Sequence, residues 1–132
     1  MYHPKTIRKI ILLIQNSLSP DLLVGRWKKQ VKKLDGHCYI AAEALWHLLG
    51  RVDYFPYFAV YKDEGGRATH WWLVNKHTKK IVDPTKEQYL PDDPPYHLGK
   101  RGGFLTKLPS KRAKLVISRV RSHKKFNEIM GG

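Results

Sequence analysis

The chain has 132 residues, of which 42% are hydrophobic, and 25 Lys and Arg against 11 Asp and Glu give it a net charge of +14. This length predicts a single domain, residues 1–132, with an apolar core of its own, and the lone cysteine excludes an internal disulfide. The longest apolar run, residues 10–14, is far shorter than the roughly 20 residues of a membrane-spanning helix, so we expect no membrane partner.

The N-terminal part is predicted to form two helices. Apolar residues recur at helical spacing along the first segment, at Ile7, Ile10, Ile11, Ile14 and Leu18. Ser19, Pro20 and Asp21 then resemble a helix start, with Ser19 as the cap. A second helix is therefore expected to run from there to about Lys33.

A third helix is predicted from Cys38, after the break at Gly36, to the stop signal at Gly50. The pattern then changes to aromatic and β-branched segments, which predict strands at residues 54–61, 69–74 and 80–82 separated by turns. Residues 90–103 are expected to form an irregular loop. The pattern of residues 111–123 allows a helix or a strand, and residues 124–132 are expected to form a flexible tail. Together these elements predict an α+β fold with helices packed on a small antiparallel sheet.

Three polar residues in this predicted fold are candidates for thiol chemistry. Cys38 would lie in the first turn of the third helix, where free backbone N–H groups and the helix dipole favour a thiolate and can stabilise an oxyanion. A cysteine nucleophile also needs a base, and the base needs an orienting partner. Only 13 residues and one turn separate His70 from Asp83, so neighbouring antiparallel strands can bring these two side chains together.

Three short motifs resemble a known group of proteins. GHCY at residues 36–39 resembles the nucleophile helix of papain-like and transglutaminase-like thiol proteins, THWWLV at residues 69–74 their histidine strand, and IVDPT at residues 81–85 their Asp-Pro element. The resemblance covers about residues 35–85. It implies a papain/transglutaminase-like core with a catalytic triad of Cys38, His70 and Asp83 and no cofactor.

Five further residues are candidates for the oxyanion hole or the cleft. Gln30 is the only glutamine shortly before the cysteine, and Tyr39 stands where the family commonly has an aromatic residue. His37 is expected to line the cleft or to lie on the surface. Trp71 and Trp72 point to opposite faces of a strand, so we expect one of them to shield the thiol.

Two functions remain open at this point. The first is a cysteine-dependent acyl-transfer enzyme that acts on amide bonds through a thioester, as a peptidase, deamidase or transamidase on a protein or peptide substrate, preferably an acidic one. The alternative is a catalytically inactive module of the same fold whose basic surface binds nucleic acid or an acidic protein.

A metal centre and a secretory route are both disfavoured by the sequence. A zinc site from Cys38, His37, His70 and His77 lacks a close ligand pair of the usual spacing, so no metal is expected. The N-terminus lacks the long apolar stretch of a signal peptide. These features would suit a bacterial or phage protein of the cytoplasm.

Overall fold

The computed structural model describes residues 2–23, 36–104 and 107–131, and its architecture is α+β. Within these ranges the helices are α1 (Pro4–Ser17), α2 (Cys38–Leu48), α3 (Lys111–Arg121) and α4 (Phe126–Ile129). The strands are β1 (Tyr54–Asp63), β2 (Gly66–Asn75), β3 (Ile81–Val82) and β4 (Lys100–Arg101). They form one sheet in the order β3-β2-β1-β4 with antiparallel neighbours, so the predicted fold class is present with one strand more than expected.

The main core lies between the helices and one face of the sheet. Helix α2 is its centre, because eight of its eleven residues are buried. Helix α1 contributes Ile7, Ile10, Leu13 and Ile14, and α3 contributes Ala113, Val116, Ile117 and Val120. Burial of each large apolar side chain contributes about 1.5–3 kcal/mol, so the core fixes the position of α2 and of the residue at its N-terminus.

The predicted second helix is wrong at its start. Residues Pro20–Leu22 form a single 3₁₀ turn, and Leu23 is extended. The Ser19 hydroxyl does not cap this turn, because it donates to the Asp21 carboxylate and accepts a hydrogen bond from Arg119 Nη1 at 2.7 Å. The remainder of the predicted helix, to residue 33, lies outside the described residues.

The C-terminal region is more regular than the sequence suggests. The predicted irregular loop contains β4, which pairs with β1. The segment for which both a helix and a strand were allowed forms helix α3, Lys111–Arg121. Where a flexible tail is expected, α4 forms and its Phe126 and Ile129 pack against the main core. Apolar contacts that are distant in sequence therefore order a segment without a local pattern of its own.

A buried carboxylate ties α3 to α2. Both oxygens of Glu43 accept hydrogen bonds from Ser110, one from the backbone N–H and one from the hydroxyl, each at 2.8 Å. The Ser110 hydroxyl also caps α3 by accepting from the N–H of Ala113. These bonds compensate Glu43 for its complete burial.

The sheet register leaves an open edge where α2 begins. Strand β3 pairs with two residues of β2, Leu73 and Val74, so within the described residues the part of β2 that contains Thr69 and His70 has no neighbouring strand on that side. The Cys38 thiol lies at this edge, 3.5 Å from the carbonyl oxygen of Thr69.

Candidate active site

Cys38 is the first residue of α2, as its predicted role requires. His37 is the N-cap residue, and Gly36 before it has φ +79°, a conformation that glycine adopts without strain and that turns the chain into the helix. The side chain of Cys38 is free of any disulfide and 7% exposed. The nucleophile candidate is therefore nearly buried and lies beside backbone N–H groups of the first helical turn.

His70 links Cys38 to Asp83. It is completely buried, and its Nε2 lies 2.6 Å from Oδ2 of Asp83. Its Nδ1 is buried without a hydrogen-bond partner of ordinary geometry, while the thiol hydrogen of Cys38 is directed at the Thr69 carbonyl. With the thiol hydrogen turned away from this carbonyl, a neutral pair has the S–H group as donor to Nδ1, and a thiolate–imidazolium pair has the N–H group of Nδ1 as donor to the sulfur. The structure thus brings together the three residues that the sequence predicts as a triad.

The electrostatic surroundings of His70 favour its charged form. Burial has the largest single effect and lowers the pKa of His70. The hydrogen bond to Asp83, the nearby Cys38 thiol and the charges of these two groups outweigh burial and raise the pKa of His70 from 6.5 to about 9. The imidazole is therefore protonated at neutral pH, and a positive charge beside a thiol favours the thiolate.

Asp83 is held on both carboxylate oxygens. Its Oδ1 accepts from the N–H of Thr85 at 3.0 Å, and its Oδ2 accepts from the Tyr96 hydroxyl at 2.8 Å as well as from His70. Asp83 follows β3 directly, so it lies off the end of the strand and not opposite His70 as direct pairing would require. Burial and the charge of Asp83 raise the pKa of Tyr96, which therefore stays a neutral donor.

Aromatic rings enclose the imidazole. Trp72 stacks on His70 with 5.5 Å between ring centroids, and Tyr89 presents an edge-on contact at 4.7 Å. The Tyr89 and Tyr61 hydroxyls lie 2.7 Å apart, and burial followed by this hydrogen bond raises the pKa of Tyr89. The enclosure lowers the local dielectric constant, which strengthens the hydrogen bond between His70 and Asp83.

The five candidates for the cleft have different positions. Trp72 contacts His70, whereas Trp71 packs on Tyr39 at 5.0 Å, so Trp72 is the tryptophan that shields the site. His37 neither lines a cleft nor lies on the surface: it is 1% exposed, and its Nε2 lies 3.0 Å from the Ser19 carbonyl, to which it donates. Gln30 lies outside the described residues.

Sequence reasoning gave Tyr89 no role in the site, and it named Tyr96 only as a residue that could border a substrate groove, not as a partner of Asp83. Tyr89 and Tyr96 lie in a region without periodicity, and no spacing relates them to His70 or Asp83. The only available signal is their residue type, since tyrosine combines an apolar ring with a hydroxyl that can donate to a buried carboxylate.

The described residues contain neither a metal-binding cluster nor a membrane-spanning helix. In residues 2–23, 36–104 and 107–131, no three His, Cys, Asp or Glu side chains come close enough together to hold a metal ion. No helix in the same part of the chain has both the length and the apolar character needed to cross a membrane. Comparison with protein-family models, with curated proteins and with solved structures found no match. Only the geometry of the site therefore bears on the function.

Tyr96→Phe is expected to lower the free energy of unfolding by about 1–2 kcal/mol, because it removes one donor from a buried carboxylate and keeps the ring. Urea denaturation at neutral pH measures this change. Tyr57→Phe is the matched control, since the Tyr57 ring also contacts Trp72 but its hydroxyl makes no hydrogen bond recorded in the described structure. Equal effects of the two substitutions would contradict the role given to Tyr96.

Proposed function

We propose that this protein is a cysteine-dependent acyl-transfer enzyme that acts on amide bonds through a thioester. The observation that carries the proposal is that the two ring nitrogens of His70 have different surroundings. Nε2 is committed to Asp83 at 2.6 Å, and the buried Nδ1 is left for Cys38. A base that is oriented by a carboxylate on one side and open to a nucleophile on the other is the arrangement that triad chemistry needs.

In the acylation step, the Cys38 thiolate attacks the carbonyl carbon of the substrate and forms the C–S bond. The carbonyl oxygen becomes an oxyanion, for which the N–H groups of the first turn of α2 are the available donors. The C–N bond then breaks, and the protonated Nδ1 of His70 gives its proton to the leaving amine. Asp83 keeps the imidazole in the orientation that this transfer requires.

In the deacylation step, His70 accepts a proton from the incoming nucleophile, which attacks the thioester carbonyl. The C–S bond breaks, Cys38 leaves as a thiolate, and His70 is again an imidazolium. Water as the nucleophile yields a peptidase or deamidase, and an amine yields a transamidase. The raised pKa of His70 supports the first step more than the second, because a protonated imidazole is a ready acid.

A relationship to papain-like and transglutaminase-like proteins is part of the same proposal. Its support is the placement of the nucleophile at a helix N-terminus, the histidine on an antiparallel strand, and the aspartate directly after the next strand. The net charge of +14 favours an acidic protein or peptide substrate. A free thiol is best preserved in a reducing environment, and the cytoplasm is therefore part of the proposal.

The proposal is tested with p-nitrophenyl acetate, an activated ester that acylates thiolates. The wild-type protein is expected to release a burst of about one equivalent of nitrophenolate and to carry the acetyl group on Cys38. Peptide mapping by mass spectrometry measures where the acetyl group is attached. Cys38→Ala is expected to lose the burst and to retain only slow acylation of surface lysines. His70→Gln is expected to lose most of the burst and to hydrolyse any acetyl-enzyme slowly.

Added amine acceptors then separate the two classes of reaction. If glycine amide accelerates turnover of the acetyl-enzyme well beyond its rate in water alone, the enzyme is a transamidase, and if it does not, the enzyme is a hydrolase. A burst that persists in Cys38→Ala, or a wild-type protein that reacts no faster than that variant, would refute the proposal.

A further inference from the structure

Two adjoining cavities lie beyond the C-terminal end of α2. The first, of about 540 Å³, is lined by Arg51, Lys114, Arg121, Ser118 and Ser122, among others. The second, of about 360 Å³, is lined by three further cations, Lys76, Arg101 and Lys107, and by aromatic rings. Arg51 lines both cavities, so they form one continuous surface. Because α2 rises about 1.5 Å per residue, Cys38 lies at its opposite end, roughly 16 Å away.

This surface has cations without matching anions. We call the six residues Arg51, Lys76, Arg101, Lys107, Lys114 and Arg121 the basic face. Among residues 2–23, 36–104 and 107–131, no Asp or Glu lines either cavity, and no salt bridge involves any of the six cations. Positive charges gathered without counter-charges repel each other, and an anionic ligand relieves that repulsion.

One member of the basic face is held in a conformation that is costly for its residue type. Arg51 has φ +67° and follows Gly50 at φ +89°. The backbone N–H of Arg51 donates to the Trp46 carbonyl at 3.0 Å, which closes the end of α2. For a residue with a side chain this region is less stable than the ordinary helical region, because Cβ comes too close to the backbone. The strain is retained where it places a guanidinium between the two cavities.

The polar groups of the first cavity suit a phosphate. Besides its cations, this cavity is lined by Ser118 on α3 and by Ser122, the residue that follows α3. Serine hydroxyls can donate to a phosphate oxygen. His47 also lines the cavity, and burial lowers the pKa of His47, so the ring is neutral and adds no charge there.

The second cavity adds aromatic surface. The Phe55 ring lies between two cations, with the Arg101 guanidinium 3.5 Å and the Lys76 ammonium 4.7 Å from its centroid. The rings of Trp46 and Phe104 line the same cavity, 5.3 Å apart. Cations and aromatic rings in the same groove are the combination by which proteins hold the backbone and the bases of single strands.

We propose that the basic face binds single-stranded nucleic acid, with phosphates at Arg51 and in the first cavity and bases against the aromatic rings of the second. An acidic peptide would satisfy the charges but would leave the aromatic rings unused. The site is separate from Cys38, so it extends the proposed acyl-transfer function to substrates that are located on nucleic acid. The binding proposal does not depend on the acyl-transfer function, because the basic face contains none of Cys38, His70 and Asp83.

Arg51→Gly tests this site with little risk to the fold. Glycine tolerates φ +67°, so the substitution removes the charge and relieves the backbone strain together. Lys79→Gly is the matched control, because Lys79 has φ +65°, is exposed, and lines neither cavity. Both variants lose one positive charge from the whole protein, and thermal melting checks that both remain folded.

Binding of a fluorescently labelled oligo(dT) is measured by anisotropy over a range of salt concentrations. Arg51→Gly is expected to weaken binding about five-fold at about 0.1 M salt and to reduce the slope of log K against log salt by about 0.7, which is the loss of one phosphate contact. Lys79→Gly is expected to change the affinity less than two-fold. Cys38→Ala should bind like the wild type, and Arg51→Gly should keep the nitrophenolate burst.

Other outcomes would overturn the proposal. Equal weakening by Arg51→Gly and Lys79→Gly would show that only the net charge matters. Tighter binding of poly-glutamate than of oligo(dT) would assign the face to acidic proteins, and tighter binding of duplex DNA would exclude a role of the aromatic rings in holding unpaired bases. No measurable binding of oligo(dT) at low salt would refute the binding proposal. The acyl-transfer proposal would still stand in that case if Cys38→Ala loses the burst.

Discussion

Iodoacetamide is expected to alkylate Cys38 at about pH 6 roughly ten- to hundred-fold faster in the wild-type protein than in His70→Gln. An ordinary thiol with a pKa near 8.5 has only about one thiolate in 300 molecules at that pH. The protonated His70, whose pKa is raised to about 9, supplies a positive charge beside the sulfur. The alkylation rate is expected to rise by a smaller factor than the fraction of Cys38 present as thiolate, because a stabilised thiolate is a weaker nucleophile.

The pH profile of this reaction distinguishes a thiolate–imidazolium pair from simple accessibility. The wild-type rate is expected to stay high from pH 8 down to about pH 6, whereas the rate of His70→Gln should fall about ten-fold for each pH unit in this range. In concentrated urea the two proteins should react alike, because the effect of His70 requires the fold. Identical profiles in the folded state would refute the ion pair, and the catalytic proposal with it.

In Cys38→Ser, which has no thiol that could lose a proton on folding, the free energy of unfolding is expected to fall by up to about 3 kcal/mol as the pH rises from about 6.5 to above 9. The folded protein holds His70 with a pKa of about 9, and the unfolded chain has the ordinary value of 6.5. The folded state therefore binds the proton more tightly. Its contribution to stability is complete below about pH 6.5 and is lost as the pH rises through the folded-state pKa.

Urea denaturation followed by tryptophan fluorescence, at intervals between about pH 6 and pH 10, measures this dependence. Cys38→Ser/His70→Gln keeps a polar side chain in place of His70 but has no titrating group there, so its stability should be nearly flat between pH 6.5 and 9. Lysines and tyrosines that titrate at higher pH affect both variants equally. A curve of Cys38→Ser parallel to that of the double variant would show that His70 is not held in its charged form.

Local patterns predicted the elements that carry the triad. The apolar spacing after Cys38 identifies α2, and the stop at Gly50 agrees with a helix end at Leu48 and a glycine with φ +89°. The composition of β2 and the short gap to Asp83 predicted that His70 and Asp83 would meet, and their side chains are 2.6 Å apart. Such predictions succeed because helix and strand periodicity and turn geometry depend on residues close in sequence.

The same local reasoning failed where a more distant residue competes for a group. Ser19 has the sequence features of a helix cap, yet its hydroxyl accepts from Arg119 Nη1 at 2.7 Å, from a residue 100 positions away. His37, next to the nucleophile, turns into the interior and bonds to the Ser19 carbonyl 18 positions before it. Neither partner could be chosen from the sequence, because each bond depends on how separate elements pack.

The sequence by itself determined the chemistry that is available: one thiol, a histidine and an aspartate at spacings that fit a helix start and two strands, and a strongly basic chain. Only the tertiary structure decided how these groups are used. It placed Tyr96 on Asp83 and Trp72 on His70, and it gathered six cations into one face at the far end of α2. Side chains and their periodicity are local properties, whereas burial and charge interactions depend on which surfaces the folded core brings together.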